Sequence, residues 1–399
     1  MREDSHPIKS LSIVLNPFTH DSRVLRAVQT QASNGYEVHI FALHDGNLPL
    51  EERQPLFFLR RFKLTTREWS KHKLVQLVKY GECTLRMVWA GIRVNPAVVH
   101  ANDLSALLIG YLIARFTGAK LIYDAHELWS DPSHRDMFPR WLFNLCVRVE
   151  RALARRADAV ITVSESIAIH MARTMRIPRP TVVRNLPLLR EEPCDKANDY
   201  HPLQRALGIA DGTPIILYHG VIGRNRGIEI LLDAMQWVAP PTVAVFLGNG
   251  PGPYLDDLKQ RAMQLGLSDR IYFHPAVPPS DLWHYIADGT LGVAPIEGSC
   301  LSYKYCLPNK LFEYLQVGLP VVVSDLLEMA SLVKHYGVGE TFPDGDANAL
   351  AATLNRLLSS PDRLVRYRQL ALKAAKELHW GQEELRLLSV YQRVLSGGK

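Results

Sequence analysis

Short apolar runs recur along the chain, separated by helix-like stretches. In the first half they are SIVL (12–15), EVHIFAL (37–43), AVVH (97–100), KLIYD (120–124), AVITVS (159–164) and TVVRN (181–185). Runs this apolar suit strands buried on both faces, so the rhythm predicts β–α–β units and a parallel sheet covered by helices. A second series follows: IILYHG (215–220), VAVFLG (243–248), IYFHPA (271–276), LGVAP (291–295) and PVVVSD (320–325). The fold class is therefore α/β, with two doubly wound domains expected at 1–187 and 188–378. The seam lies in PLLREEPCDKANDYHP (187–202), where apolar periodicity stops and charge, Pro and Asn gather. Open α/β sheets bind ligands beyond the carboxyl ends of their strands, which makes the cleft between two such domains the expected active site.

The segment PNKLFEYLQVGLPVVVSD (308–325) carries the sharpest chemistry. Lys310 and Glu313 sit three apart and share one helix face, with Leu311, Leu315 and Val317 as apolar support. Gly318 reads as the helix stop and Val321–Val323 as a core strand. A carboxylate can accept two hydrogen bonds from a ribose diol and a lysine can neutralise a phosphate, so the pair could hold a nucleotide by both ends. A surface ion pair is the plainer alternative. GVIGRNRGIE (220–229) puts glycines, Arg224 and Arg226 between a strand and a helix, which suits a diphosphate. LGNGP (247–251) is either a similar loop near a base or a simple turn. In the first half, His100 and Asp103 follow one strand, and Asp124, His126 and Glu127 follow the next. His126 is either a satisfied structural histidine or a substrate-positioning one. Glu127 either holds hydroxyls or marks a helix N-terminus. Asp21 and Arg23 either cap a helix or face an acceptor.

PNKLFEYLQVGLPVVVSD resembles the donor-site motif of the retaining glycosyltransferases of family 4 (glycosyl transferase group 1), which have the GT-B fold. Further segments resemble that family in the same order: NPFTHDSRVLR, VVHANDL (98–104), YDAHELWSD (123–131), ADAVITVSES (157–166), VVRNLP (182–187), YHGVIGRNRGIEILLDAM (218–235) and LGNGP. The resemblance implies two Rossmann-like domains facing across a cleft, acceptor-binding then donor-binding, with the helix in 379–399 returning to the first. It implies His126, Arg226 and Glu313 as catalytic. Donor contacts would come from Gly220, Gly223, Arg224, Arg226, Gly248, Asn249, Gly250, Glu297, Asn309, Lys310, Leu311 and Glu313. Acceptor contacts would come from His100, Asp103, Asp124, His126 and Glu127. It also implies retention of anomeric configuration without a side-chain nucleophile, the leaving phosphate helping to take the acceptor proton.

The chain departs from the pattern in places. The family's arginine after the first glycine is Val221 here, and its lysine is Arg226. The first of its paired glutamates is replaced by Tyr305, with Glu297 the nearest upstream carboxylate, so GSCLSYKYCLP (298–308) must contact the donor sugar differently. NPFTHDSR (16–23) stands where many relatives have a glycine-rich loop.

Composition narrows the setting. At 399 residues and 47% hydrophobic content the chain can bury two cores. Cys83, Cys146, Cys194, Cys300 and Cys306 are scattered without a CxxC, which argues against a disulfide framework or zinc site and for a reducing compartment. Neither a signal peptide nor an apolar run of the roughly 18 residues a membrane helix needs is present, so a cytosolic protein is expected. Asp344 and Asp346 form an Asp-x-Asp, but PDGDANAL reads as a turn into a helix cap, so no metal and no other cofactor is expected. Net charge is +6. One cluster comprises Arg60, Arg61, Lys63, Arg67, Lys71, Lys73 and Lys79 with Phe62 and Trp69. The other comprises Arg135, Arg140, Arg148, Arg151, Arg155 and Arg156 with Trp141 and Phe143. A basic helix with aromatics can lie on an anionic membrane at the inner face of the plasma membrane, or be a solvated face. Nucleic acid is disfavoured, because no binding module accompanies the charge.

The expected activity is metal-independent, retaining transfer of a sugar from a nucleotide-diphosphate sugar, UDP before GDP, to a lipid-linked glycan. The setting in bacterial cell-surface or exopolysaccharide synthesis rests on the resemblance alone. A nucleotide-sugar epimerase or phosphorylase of the same fold, and a non-catalytic nucleotide-sugar-binding subunit, are the rivals.

Overall fold

The apolar runs form the strands of two separate sheets in the computed structural model, which describes residues 7–19, 21–70, 72–131, 139–190 and 201–397. The chain divides into two units, Met1–Asn185 with Glu383–Lys399, and Leu186–Gln382. Of the expected seam, residues 191–200 lie outside the described residues, as do Cys194, Lys71 and Arg135.

The first unit runs β1 (Ile8–Ile13), α1 (Ser22–Ser33), β2 (Tyr36–Leu43), β3 (Glu51–Arg53), β4 (Phe58–Phe62), α2 (Lys73–Val94), β5 (Val98–Asn102), α3 (Asp103–Thr117), β6 (Lys120–Ala125), α4 (Arg140–Ala154), β7 (Ala159–Thr162), α5 (Glu165–Met175) and β8 (Thr181–Val182). Its sheet has the order β3-β4-β2-β1-β5-β6-β7-β8, parallel except where β3 runs against β4. Asp21 caps α1, its Oδ1 accepting from Val24 N at 3.1 Å.

The second unit runs α6 (Pro202–Leu207), β9 (Ile215–His219), α7 (Ile228–Ala234), β10 (Val243–Leu247), α8 (Gly252–Gln264), β11 (Ile271–His274), α9 (Leu282–Ala287), β12 (Leu291–Ala294), α10 (Leu301–Lys304), α11 (Asn309–Gln316), β13 (Val321–Ser324), α12 (Leu327–Tyr336), β14 (Gly339–Phe342), α13 (Ala347–Leu358) and α14 (Pro361–Ala375); α15 (Trp380–Leu395) then carries the chain into the first unit. The sheet order β11-β10-β9-β12-β13-β14 is the doubly wound arrangement, with its switch point between β9 and β12. Alternate residues along each strand feed opposite cores. Leu217, Val245, Val321 and Val323 join one, while Ile216, Tyr218, Phe246 and Val322 join the other. Burial on both faces is what made these strands read as continuous apolar runs.

Three strands were absent from the sequence pattern. In β4, FLRRF hides a strand behind two arginines. Arg61 points inward and is only 5% exposed, because its guanidinium donates to Pro17 O (2.9 Å), Pro49 O (3.0 Å) and Glu52. The first basic cluster is therefore not a basic helix. Arg60 and Arg61 belong to a strand, Arg67 pairs with Asp45, and only Lys73 and Lys79 lie on α2. β3 is too short to show a pattern, and β14 begins at Gly339, where a Cβ would stand 1.8 Å from Val321 O.

Candidate active site

In the second unit the loops that leave β9 and β12 build one end of the site. β9 ends in His219, and the chain turns at Gly220, whose φ of 109° falls in the region open to glycine. Lys310, the second residue of α11, reaches across to this turn. A Cβ on Gly220 would stand 3.8 Å from Lys310 Nζ, and that ammonium lies 3.3 Å from the centroid of the Tyr218 ring. The lysine is 7% exposed, and among the described residues it has no hydrogen-bond or ion-pair partner. Burial, and then Arg226 nearby, hold it well below the usual lysine range, with Glu313 pulling the other way. Arg226 has no carboxylate partner among the described residues either; its guanidinium sits over the Tyr303 ring at 5.3 Å. Two basic side chains thus lie close enough for one to depress the other, and neither makes an ion pair with a carboxylate among the described residues.

Glu313, one turn along α11 from Lys310, has its Oε2 3.1 Å from His219 Nε2. Gly318 follows α11 at φ 67° and stops it. Asn309 is exposed at the start of α11, whereas Leu311 is fully buried, so its side chain belongs to the core and not to a donor contact. Glu297 lies on the loop after β12, where burial, Glu229 and Asp344 raise its pKa. Its N–H points to Asn225 O at 3.4 Å, and a Cβ on Gly227 would sit 1.7 Å from Pro295 O. Gly223 lies open beside them. Arg224 points elsewhere, its guanidinium 5.7 Å from the Tyr254 ring on α8.

The LGNGP loop has a structural explanation. A Cβ on Gly248 would lie 1.9 Å from Gly220 O, and one on Gly250 2.3 Å from Ile222 O. Ile222 N donates to Asn249 O at 2.9 Å, and Asn249 Oδ1 accepts from Ala276 N at 3.0 Å. These residues brace the β9 loop, and the side chain of Asn249 is engaged in that bracing.

In the first unit, Asp124 at the end of β6 is the centre of a buried polar cluster. Arg23 donates to both its oxygens (3.1 and 2.7 Å) and to Val183 O (2.7 Å). His100 Nε2 lies 3.4 Å from Asp124, and its Nδ1 2.7 Å from Tyr391 OH on α15. Burial would raise Asp124, but Arg23 and His126 outweigh it and hold the carboxyl well below the usual range. His100 and Asp124 are 1% and 2% exposed, so neither presents a side chain to an acceptor; they support their neighbour instead. That neighbour is His126, whose side chain is 17% exposed. Its Nδ1 is 3.4 Å from Asp103, its Nε2 3.5 Å from Asp124, and its backbone N donates to Asp103 Oδ1 at 3.0 Å. Burial would lower the imidazole, yet the two carboxylates raise it. Asp103 adopts φ 64°, a strained value for a non-glycine residue. Glu127 is exposed in a turn, not at a helix start: the next helix among the described residues begins at Arg140.

Asp346 caps α13 through Ala349 N (2.9 Å) and Asp344 accepts from Gly298 N (2.9 Å). Among the described residues no cluster of three or more His, Cys, Asp or Glu could hold a metal, and no helix is long and apolar enough to cross a membrane. Cys83, Cys146, Cys300 and Cys306 are free thiols. His219 joins the site without a motif of its own; in the sequence it is marked only as a histidine ending a strand just before a glycine turn.

Residues 22–186 match the family described as Glycosyltransferase Family 4, and residues 200–374 match Glycosyl transferases group 1. The D-inositol 3-phosphate glycosyltransferase 1 of Catenulispora acidiphila is 26% identical over 76% of this chain and 73% of its own. The alpha-monoglucosyldiacylglycerol synthase of Streptococcus pneumoniae is also 26% identical, over 66% of this chain and 60% of its own. Among solved structures, sucrose-phosphate synthase of Thermosynechococcus elongatus superposes with a TM-score of 0.82 at 19% identity, covering 98% of this chain and 100% of that one. HepE of Anabaena, solved with UDP, gives 0.74 at 18% identity, covering 98% and 99%.

Proposed function

Since the chain belongs to glycosyltransferase family 4 and has the GT-B fold, we propose that it moves a sugar, with retention and without a metal, from a nucleotide-diphosphate sugar to a lipid-linked glycan acceptor. The observation that carries the donor half is the pair of basic side chains without a carboxylate partner among the described residues, Lys310 and Arg226, with a carboxylate, Glu313, one helical turn from Lys310. A diphosphate supplies the missing anion. As the glycosidic bond breaks, negative charge grows on the leaving phosphate, and fixed cations in a dry site stabilise it without a metal. Glu313, held by His219, accepts hydrogen bonds from the ribose diol. In the first unit His126, the partly exposed member of the cluster, donates to a sugar hydroxyl, with Asp103 beside its ring and Glu127 exposed on the next position to meet the acceptor. The acceptor hydroxyl attacks on the face the leaving group vacates, and its proton passes to the departing phosphate.

UDP is the first nucleotide to test, GDP the second; HepE, of the same fold, is solved with UDP and with UDP-glucose. A lipid-linked acceptor for bacterial surface glycans agrees with relatives named for diacylglycerol glucosylation and for lipopolysaccharide core synthesis. The test is calorimetric titration of UDP and GDP with EDTA present, on the wild type and Lys310→Ala, followed by NMR of the anomeric proton in any transfer product. Binding that survives EDTA and is lost in Lys310→Ala supports the reading. No binding of either nucleotide, or an inverted product, overturns it.

A further inference from the structure

Helices α2, α3 and α4 follow rightward crossovers in the first sheet and therefore cover one of its faces, with α3 packed against both of the others. α2 has an unusual outer side. Cys83, Met87 and Ala90 face the core, but Val78, Leu85, Trp89 and Ile92 are all exposed, Leu85 by 74% and Trp89 by 60%. At 3.6 residues per turn these four fall in a sector of about 60°, with Leu85, Trp89 and Ile92 on successive turns and Val78 two turns before them, so they lie along one apolar side. A stripe of this kind turned to water on a soluble domain marks a contact surface.

The charge around it selects the partner. α2 carries Lys73, Lys79, Arg86 and Arg93 against one carboxylate, Glu82; α4 carries Arg140, Arg148 and Arg151 against one, Glu150. Glu82 offsets Arg86 on its own helix, and Glu150 is turned inward. Glu82 accepts from Thr65 and Thr66 and pairs with Arg86, while Glu150 is 1% exposed and accepts from Tyr123 OH. Trp141, 59% exposed, and Leu145 lie among the arginines of α4, and the Arg93 guanidinium covers the Trp89 ring at 3.2 Å. Cations flanking exposed tryptophan and leucine match the boundary between anionic headgroups and acyl chains. A second copy of the chain is the poorer occupant, because a two-fold contact would set this basic patch against itself.

We propose that α2 and α4 dock the first unit onto an anionic lipid surface. The inference rests on the proposed function only for its purpose, bringing the enzyme to a lipid-linked acceptor; its evidence is separate from the donor site. The test is co-sedimentation of the full chain with vesicles of phosphatidylcholine, with and without phosphatidylglycerol, at rising salt, on wild type, Leu85→Glu/Trp89→Glu and Arg148→Glu/Arg151→Glu. Wild type should bind only the anionic vesicles and release them with salt, and each double variant should lose roughly tenfold or more in binding. UDP titration of the same proteins should be unchanged, so a failed membrane surface and a failed donor site read differently. No vesicle binding by wild type, or equal binding by the variants, overturns the proposal. An oligomer dissociated by Leu85→Glu/Trp89→Glu, in a protein that ignores vesicles, would give the stripe to a second copy instead.

Discussion

His219 Nε2 lies 3.1 Å from Glu313 Oε2, joining the end of β9 to the middle of α11. Tyr314 fixes this pair from behind. Its ring meets the His219 ring edge-on at 5.0 Å, and its hydroxyl accepts from His219 N (3.1 Å) and donates to Leu217 O (2.9 Å). The carboxylate is thereby set beside the Gly220 turn before any ligand arrives.

If His219 acts only by holding Glu313, the two substitutions will not add. Glu313→Ala should weaken nucleotide binding by about 1.5–3 kcal/mol, as for a lost charged hydrogen bond. His219→Phe should cost less, and the double variant should match Glu313→Ala alone. Calorimetry on the four proteins measures this; additive losses would show that His219 touches the ligand itself.

Nucleotide binding should take up a proton. Lys310 is depressed first by burial and then by Arg226, and a diphosphate beside it opposes the second effect and raises its pKa. Between the depressed and the restored value the bound state carries more protons, so affinity falls as pH rises through that window. Titrations in buffers of different ionisation enthalpy should give different apparent heats in the wild type and equal heats in Lys310→Met. Equal heats in the wild type would refute it.

The Arg23–Asp124 pair should dominate the stability of the first unit. Arg23→Met leaves the buried Asp124 carboxylate with only His100 and His126 beside it and should cost about 3 kcal/mol in denaturant unfolding. Asp124 has a lowered folded pKa, so its contribution is complete above the ordinary carboxylate value of about 3.9 and is lost as pH falls through the folded one. His126 is raised, so its contribution is complete below about 6.5 and is lost as pH climbs through the folded value. The wild type should therefore lose stability on both sides, and His126→Asn should flatten the alkaline side and, because His126 helps to hold Asp124 down, weaken the acid side in part.

Two glycines of one loop should behave oppositely. Gly227 has φ 70° and no room, a Cβ standing 1.7 Å from Pro295 O, whereas the nearest contact at Gly223 is 3.9 Å away. Gly227→Ala should displace Arg226 and abolish detectable UDP binding, while Gly223→Ala should stay within about threefold of wild type. Similar affinities for the two variants would mean the loop is free to rearrange.

Sequence alone determined the two-sheet architecture, because strands buried on both faces must be apolar at nearly every position, as in β9, β10 and β13. It also determined the Lys310–Glu313 face, because helix geometry places residues three apart on one side. The helix stop at Gly318 and the caps at Asp21 and Asp346 were legible for the same local reason. Tertiary structure decided what depends on distant partners. β4 stayed hidden because Arg61 is tolerated inside only where Pro17, Pro49 and Glu52 converge on it. His100 and Asp124 read as acceptor ligands until Arg23 and Tyr391, from the two ends of the chain, closed over them. Gly248 and Gly250 read as a ligand loop until the β9 loop was found against their backbone. Local pattern reports what a residue does to its own segment; the neighbour that satisfies a buried charge, or forbids a side chain, comes from elsewhere in the chain and is known only once the chain has folded.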